Sequence, residues 1–320
     1  MKTLAISIIA LLLVGNGFAQ ERVRISVALS PTSSYPILIA QEKGIFEKNG
    51  LKAEIIRINS DATNSQALIS GDIDAASGVP TGLVQFNLQG IAVVNLGSWD
   101  NQVSYTLMTK DKISDLSQLR GKKIGINRIT GRSALILRVM LEDAGLNTSK
   151  DVTLLQLGGS QERLAALLRG GVDAAPVDFV FERKMQKIGF HLVPSKKTPF
   201  MNGPVMVTAA NLKANRAKWT RFVKAYIEAT HYMTVNKPGS IDVLKKFILP
   251  GEDNDTLDHV YEQMRDRATV NLITPDPAVE NLIKMMTYVD KRSATIDRGK
   301  LSDYSIVREL IQNNAVPVKK

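Results

Sequence analysis

Two stretches of this chain repeat one another, QALISGDIDAA over Gln66–Ala76 and AALLRGGVDAA over Ala165–Ala175. Each reads as the end of an amphipathic helix, a glycine, an aspartate and a run of small apolar residues. Gly71 and Gly170 fit the position just past a helix end, where a left-handed residue closes the helix and a Cβ would clash. Asp74 and Asp173 stand 99 positions apart, and each copy follows a strand-like run, KAEIIRI at Lys52–Ile58 and VTLLQL at Val152–Leu157. Helix, glycine, aspartate and strand is by itself ordinary α/β punctuation. Its recurrence in a similar context predicts two similar α/β units, and two such units imply a cleft between them.

The rest of the chain alternates in the same way. Val23–Leu29 is β-branched and alternating, as a strand requires. PTSSY over Pro31–Tyr35 is a turn cluster, and Pro36 suits a first helical position in a helix that closes near Gly44 or Gly50. Asp61 fits the N-cap of a helix over Asp61–Ser70. A short strand at Ala75–Ser77, a helix at Pro80–Gln89 and a strand at Ala92–Leu96 complete the first unit. Tyr105–Thr109 reads as a strand leaving it. The second unit repeats the alternation: strand Lys123–Ile126, helix Ser133–Ala144, strand Val152–Leu157, helix Gln161–Arg169, strand Ala174–Val177, helix Phe179–Ile188 and strand His191–Val193. Pro204–Thr208 crosses back. Alternation of this kind calls for largely parallel sheets, with the second unit inserted into the first. Helices follow, at Arg216–Val235, Ile241–Ile248, Thr256–Arg267, Pro277–Asp290 and Asp303–Asn313.

Length and composition narrow the classes. A chain of 320 residues suits about two domains, and 44% hydrophobic with 22% charged residues is that of an ordinary globular protein. There is no cysteine, so disulfides, thiolate nucleophiles and cysteine metal sites are excluded. His191, His231 and His259 are scattered, without metal-ligand spacing. The N-terminus, MKTLAISIIALLLVGNGFAQER, has Lys2, an apolar run over Leu4–Val14 and small residues at Gly17 and Ala19, the pattern of a secretory leader cleaved after Ala19. The run is short of the roughly 20 residues that span a bilayer, and no cysteine follows it to carry a lipid. Loss of 1–19 takes the formal charge from +10 to +9. The basic residues are dispersed, without a basic run, a helix-turn-helix signature or an aromatic stripe. Nucleic acid is therefore not an expected partner, and the charge reads as a solvated surface that steers small anions.

Four stretches, PILIAQEKGIFEKNGLKAEII, QALISGDIDAASG, LSQLRGKKIGI and GSQERLAALLRGGVDAAPVD, resemble periplasmic solute-binding proteins of ABC transporters, of the type that serves sulfonates, taurine, nitrate and thiamine pyrimidine precursors. The resemblance runs over about residues 23–235 and is generic beyond them. It implies a type II periplasmic binding-protein fold with two α/β lobes and a two-strand hinge. The first lobe would be 20–105 with the largely helical 206–320, and the second 106–205. It also implies a small-molecule ligand and an ABC permease of the inner membrane as partners, a monomer, a periplasmic location and no cofactor.

In open α/β sheets ligands bind beyond the carboxyl ends of strands, where helices begin. Four such turns are legible: 32–35, 77–81, 127–133 and 177–178. Ser34, Thr81, Thr130 and Ser133 are candidate hydroxyl donors to an anion at helix starts, with Gly78 and Gly131 supplying backbone N–H groups. Each hydroxyl also reads as a plain N-cap. Arg132 stands at a helix start, against the dipole preference for acids there, and is the candidate clamp on a carboxylate or sulfonate; a solvent-facing arginine is the bland alternative. Asp178 would accept from a ligand ammonium or amide, or cap a helix. Tyr35 and Trp99 would stack a flat ligand or pack the hinge.

Three functions share this frame: a transport receptor, an enzyme, and a secreted sensor for a signalling partner. The pyrimidine-synthesising relatives of the family carry a cysteine-rich motif and a catalytic histidine. This chain has no cysteine and no nucleophile–base pair at recognisable spacing, so a non-enzymatic receptor is the expectation. Ligand identity stays open between an anion and a flat heterocycle.

Overall fold

Ten strands build two five-stranded sheets among the described residues of a computed structural model; these are residues 20–318 apart from 28–30, 59–60, 79 and 195–196. The expected leader lies outside them, as do Ala28, Leu29 and Val79. The first sheet holds β1 (Glu21–Val27), β2 (Leu51–Arg57), β3 (Ala75–Ser77), β4 (Val93–Ser98) and, from far along the chain, β10 (Pro204–Thr208), in the order β2-β1-β3-β10-β4. The second holds β5 (Tyr105–Thr109), β6 (Lys123–Ile126), β7 (Thr153–Gln156), β8 (Ala174–Asp178) and β9 (His191–Leu192), in the order β7-β6-β8-β5-β9. The two orders correspond strand for strand. In each sheet three parallel strands are followed by an antiparallel one that has just crossed from the other lobe, β10 beside β3 and β5 beside β8. The fold is the two-lobed type II arrangement, with the second lobe inserted into the first.

The repeated segments have the same structural role. Gly71 and Gly170 have φ of +80° and +72°, as a helix-ending glycine requires. The aspartates then tie their sheets together. The Asp74 carboxylate accepts from the backbone N–H of Arg24 at 2.8 Å, and that of Asp173 from the N–H of Lys123, also at 2.8 Å. The backbone N–H of each aspartate returns a bond to the carbonyl of the same partner. Both clamps sit at the amino ends of β3 and β8, the opposite end from the turns at Gly78 and Asp178. Asp74 is further held by the Arg24 guanidinium and by Lys218 at 3.6 Å. Burial works against its charge, yet these partners hold the carboxyl below its ordinary range.

The C-terminal region is helical, as expected, with shifts at the boundaries. Lys237-Pro238-Gly239 opens the helix Lys237–Phe247 instead of lying in a loop: Pro238 falls where a helix tolerates it, and the Asn236 side chain accepts from the Gly239 N–H. The stretch expected as one helix over Phe179–Ile188 is a 3₁₀ turn, Phe179–Phe181, followed by Glu182–Lys187. The helices Tyr35–Glu42, Arg216–Val235 and Lys237–Phe247 bury a core with Trp219, Phe222 and Tyr226 at its centre. The helix Asp276–Thr287 packs against both Pro80–Leu88 and Arg132–Asp143, so apolar residues of both lobes share one cluster. No helix among the described residues is long and apolar enough to cross a membrane.

Where the chain crosses between lobes, Asp100 is fully buried. It accepts from the Arg267 guanidinium at 2.9 Å and from the Asn202 amide at 2.7 Å, while Arg267 also donates to the carbonyls of Gln102 and Val103. Both crossings are thereby fastened to the end of the helix Asn254–Arg267.

Candidate functional site

The carboxyl ends of the parallel strands of both sheets face one another, and the turns leaving them bring residues of the two lobes into contact. Arg132 begins the helix Arg132–Asp143 of the second lobe and is half-buried. Its guanidinium donates to the carbonyl of Gly78, in the turn after β3 of the first lobe, at 3.2 Å. From the other side, the Thr32 hydroxyl of the first lobe donates at 3.1 Å to Asp178, the last residue of β8. Asp178 also accepts from the Val180 N–H at 3.4 Å, so it caps the turn that follows it as well. Only 4% of Asp178 is exposed. Burial pushes its carboxyl above the ordinary aspartate range, opposed by the Val180 N–H, the Thr32 hydroxyl and the charges of Arg132 and Arg267.

Arg132 and Ser33 occupy equivalent places under the 99-residue offset of the repeat, one in each lobe. Ser33 lies beneath Gly78, whose φ of +80° and lack of a Cβ admit it: an added Cβ would fall 2.3 Å from the Ser33 Oγ. That hydroxyl is buried and has no hydrogen-bond partner among the described residues. The lobe-to-lobe contact thus contains a backbone carbonyl, a buried hydroxyl, a carboxylate and a guanidinium.

The structure places the other sequence candidates as follows. Thr81 is half-buried in the first turn of Pro80–Leu88, and Gly131 is the N-cap residue of Arg132–Asp143 with the Asn127 side chain pressed against it. Four candidates are used elsewhere. The Ser133 hydroxyl, wholly buried, turns back to donate to Asn127 at 2.8 Å and closes its own turn. Ser34 donates to Ser77 at 2.9 Å within the first lobe. Tyr35 is not a stacking surface: it has no exposed area, and its hydroxyl donates at 2.6 Å to the carbonyl of Ser240 in the first-lobe core, where burial raises its pKa. Trp99 is equally enclosed, its indole N–H donating to the Ser33 carbonyl at 2.8 Å and its ring lying against Gly203. It packs the hinge. Thr130 is exposed in the turn before Gly131.

The sequence reading missed two residues of this wall. Tyr105, the first residue of β5, is half-buried, with the guanidinium of Arg132 at 5.7 Å and that of Arg163 at 5.8 Å from its ring centroid. Arg163 belongs to the helix Ser160–Leu168 and is only 2% exposed. A cavity of about 390 Å³ lies beside this wall and shares Tyr105 and Phe179 with it. Its remaining lining comes from the crossings, from the helix Asn254–Arg267 and from second-lobe residues such as Met140, Glu182 and Leu192, and none of the sequence candidates reaches it. None of the three histidines joins Arg132, Gly78, Thr32 and Asp178: His191 is in β9, His231 in Arg216–Val235, and His259 faces Glu182 of the other lobe at 3.9 Å.

A family model described as NMT1/THI5 like matches residues 31–239, most of both lobes. The chain belongs to this family. A putative thiamine biosynthesis protein of Haemophilus influenzae is 31% identical over 170 residues, which are 52% of this chain and 53% of that one. The chain thus spans about half the length of that relative. Among solved structures, a Bordetella bronchiseptica protein superimposes with a TM-score of 0.76 at 17% identity, covering 93% of this chain and 99% of the other. The periplasmic aliphatic sulphonate binding protein of Escherichia coli does so with a TM-score of 0.69 at 17% identity, over 93% and 89%. At these identities the structural likeness shows the fold. Within the matched span of this NMT1/THI5-like chain lie Thr32, Gly78, Tyr105, Arg132, Arg163 and Asp178.

Proposed function

We propose that the protein is an extracytoplasmic solute receptor that captures a small anionic molecule between its lobes and delivers it to the permease of an ABC importer. The observation that carries this reading is the Arg132 guanidinium reaching across the lobe contact to Gly78, with Asp178 and Thr32 joined beside it. A cation delivered by one lobe to a turn of the other couples closure to an anion held between them. Family membership and the fold support a binding role, and the sulphonate receptor among the structural neighbours supports an oxyanion as its object. Residues 1–19 would act as the leader, so the periplasmic form should begin at Gln20, as N-terminal sequencing can check.

A flat heterocycle such as a pyrimidine precursor is the second reading, favoured by the family description and by the Haemophilus relative's name. The burial of Tyr35 and Trp99 removes the two rings first considered for stacking and leaves Tyr105. Titration calorimetry of the full chain with methanesulfonate, acetate, nitrate and an aminopyrimidine, followed by scattering with the best of them, tests the reading. Binding of an anion with a smaller radius of gyration is the expected result. Tight binding of the neutral pyrimidine alone would transfer the function to the second reading. A secreted sensor would use the same cleft; loss of solute uptake on deleting the gene separates transport from it.

A further inference from the structure

Glu182 is a buried carboxylate that no lysine or arginine pairs with among the described residues. It is the first residue of the helix Glu182–Lys187 in the second lobe and is only 9% exposed. Its Oε2 accepts from the Thr106 hydroxyl at 3.2 Å and from the Gln263 amide at 3.4 Å. Its Oε1 accepts no hydrogen bond among the described residues. The His259 imidazole lies 3.9 Å from it and is a counter-charge only when protonated. Beside them the amide oxygen of Gln263 is buried and has no hydrogen-bond partner among the described residues. A carboxylate withdrawn from water is costly unless a counter-charge or a full set of donors holds it. Asp100, equally enclosed, has the Arg267 guanidinium for this. Glu182 has a hydroxyl and one long amide contact.

Glu182, Thr106 and Gln263 all line the cavity of about 390 Å³. That volume falls in the range of small-molecule sites, roughly 300–1,000 Å³. Thr106 comes from β5 of the second lobe and Gln263 from the helix Asn254–Arg267 of the first, so the carboxylate is met from both lobes. Phe179, Met140, Leu192 and Val193 give the cavity an apolar wall. The other charges of the lining are engaged or exposed. Arg267 rests on Asp100, Asp266 pairs with Arg265 at 3.0 Å, and Lys197 is exposed. Thr32, Gly78, Arg132 and Asp178 do not line it, which separates the cavity from the candidate site.

We propose that this hinge cavity is a second binding site, for a small primary amine with a compact apolar body. The ammonium carries three donors and the missing counter-charge. One N–H serves the open Oε1 of Glu182 and a second the amide oxygen of Gln263. The apolar body lies along Phe179, Met140 and Leu192, where its burial adds to the attraction. An alcohol of the same shape could donate to Glu182 but would leave the carboxylate without its counter-charge, so the cavity selects for cations. This site does not depend on the receptor reading above, whose ligand is an anion at the lobe contact.

The test is calorimetry on the full chain with two probes of one shape, benzylamine, which is protonated at neutral pH, and benzyl alcohol. The parent should bind the amine at least about tenfold more tightly than the alcohol, the scale of a hydrogen bond to a charged group. Glu182→Gln keeps an acceptor for Thr106 but removes the charge, and should bring the amine to within about threefold of the alcohol. Leu192→Trp, at an exposed position of the wall, fills the cavity and should weaken the amine by about tenfold or more. A parent that binds neither probe, or the amine no better than the alcohol, overturns the proposal. So does a Glu182→Gln protein that keeps most of the preference. If Glu182→Gln does not fold, Leu192→Trp decides, and an unchanged amine affinity there overturns the proposal. Methanesulfonate binding to the parent is measured separately, so this inference and the receptor reading can fail independently.

Discussion

Beyond the apolar cluster they share, the lobes meet at a buried polar contact and at a charged rim, and these two differ in chemistry. The buried one is small: Arg132 to Gly78, and Thr32 to Asp178. The rim is richer in bonds. Arg183 and Lys187 of the short helix Glu182–Lys187 meet Asp255 at 2.8 and 2.9 Å, Lys184 meets Glu252 at 2.7 Å, and Lys187 also meets Asp253 at 2.8 Å. The rim pairs are largely exposed, and screening and side-chain entropy cancel most of their attraction. The buried groups are desolvated, so each loses heavily if its partner goes. Counting bonds would rank the rim first; burial ranks it last.

The strongest attempt to break this contrast is Asp178→Ala. It removes the buried carboxylate near Arg132 and Arg163, whose guanidiniums lie 5.7 and 5.8 Å from the Tyr105 ring centroid, and chemical denaturation should show a loss of about 3–5 kcal/mol, the range for removing one partner of a buried charged set. Asp178→Asn, which can still accept from Thr32, should lose less. A loss below that of any rim variant would reverse the ranking. Next comes Arg132→Ala, for which calorimetry should record an anion affinity lower by about 2–5 kcal/mol, or roughly 30-fold and more. Arg132→Lys should also weaken binding, because an ammonium lacks the planar fork.

Asp74→Ala is the control outside the contact. It should cost about 1.5–3 kcal/mol of folding stability, the scale for a hydrogen bond to a charged group, and leave ligand affinity unchanged. Its pH behaviour follows from its lowered pKa. The stabilisation is complete above the ordinary aspartate value of about 3.9 and is lost as the pH falls through the lower folded value. Denaturation midpoints of parent and Asp74→Asn should converge in that acid window. The smallest effect belongs to the rim: raising salt from about 0.05 to 0.5 M, or Lys184→Ala, should change anion affinity by less than about fivefold. Asp253 and Asp255 are held below the ordinary range by Lys187 and Arg183, so the rim pairs should persist between pH 5 and 7 and fail only in stronger acid.

The duplicated architecture, the inserted lobe and the turns of the candidate site were legible from the chain because each is written locally: in glycines that end helices, in strand periodicity, and in the rule that ligands meet strand ends. Side-chain direction was not. Tyr35 turns inward because its hydroxyl finds a carbonyl 205 residues away, and Trp99 because it finds one 66 residues away. Ser133 shows the converse: a local partner, Asn127, captures a hydroxyl that the helix start alone would have left for a ligand. Arg163 was overlooked because an arginine in SQERLAALL reads as the polar face of a surface helix. Only the assembled sheet shows that it lies against β8.

The aspartate clamps carry a consequence for how such a molecule can change its specificity. Each fastens its sheet at the end remote from the candidate site, through a carboxylate that accepts from the neighbouring strand's backbone. The residues that secure each lobe and those of the candidate site are therefore different residues, at opposite ends of the same strands. Residues of the turns at 31–34, 77–81 and 127–133 that hold no structural bond, such as half-buried Thr81 and exposed Thr130, can change without loosening either clamp. A chain divided in this way can explore new solutes by small steps, remaining folded while its binding surface is rewritten.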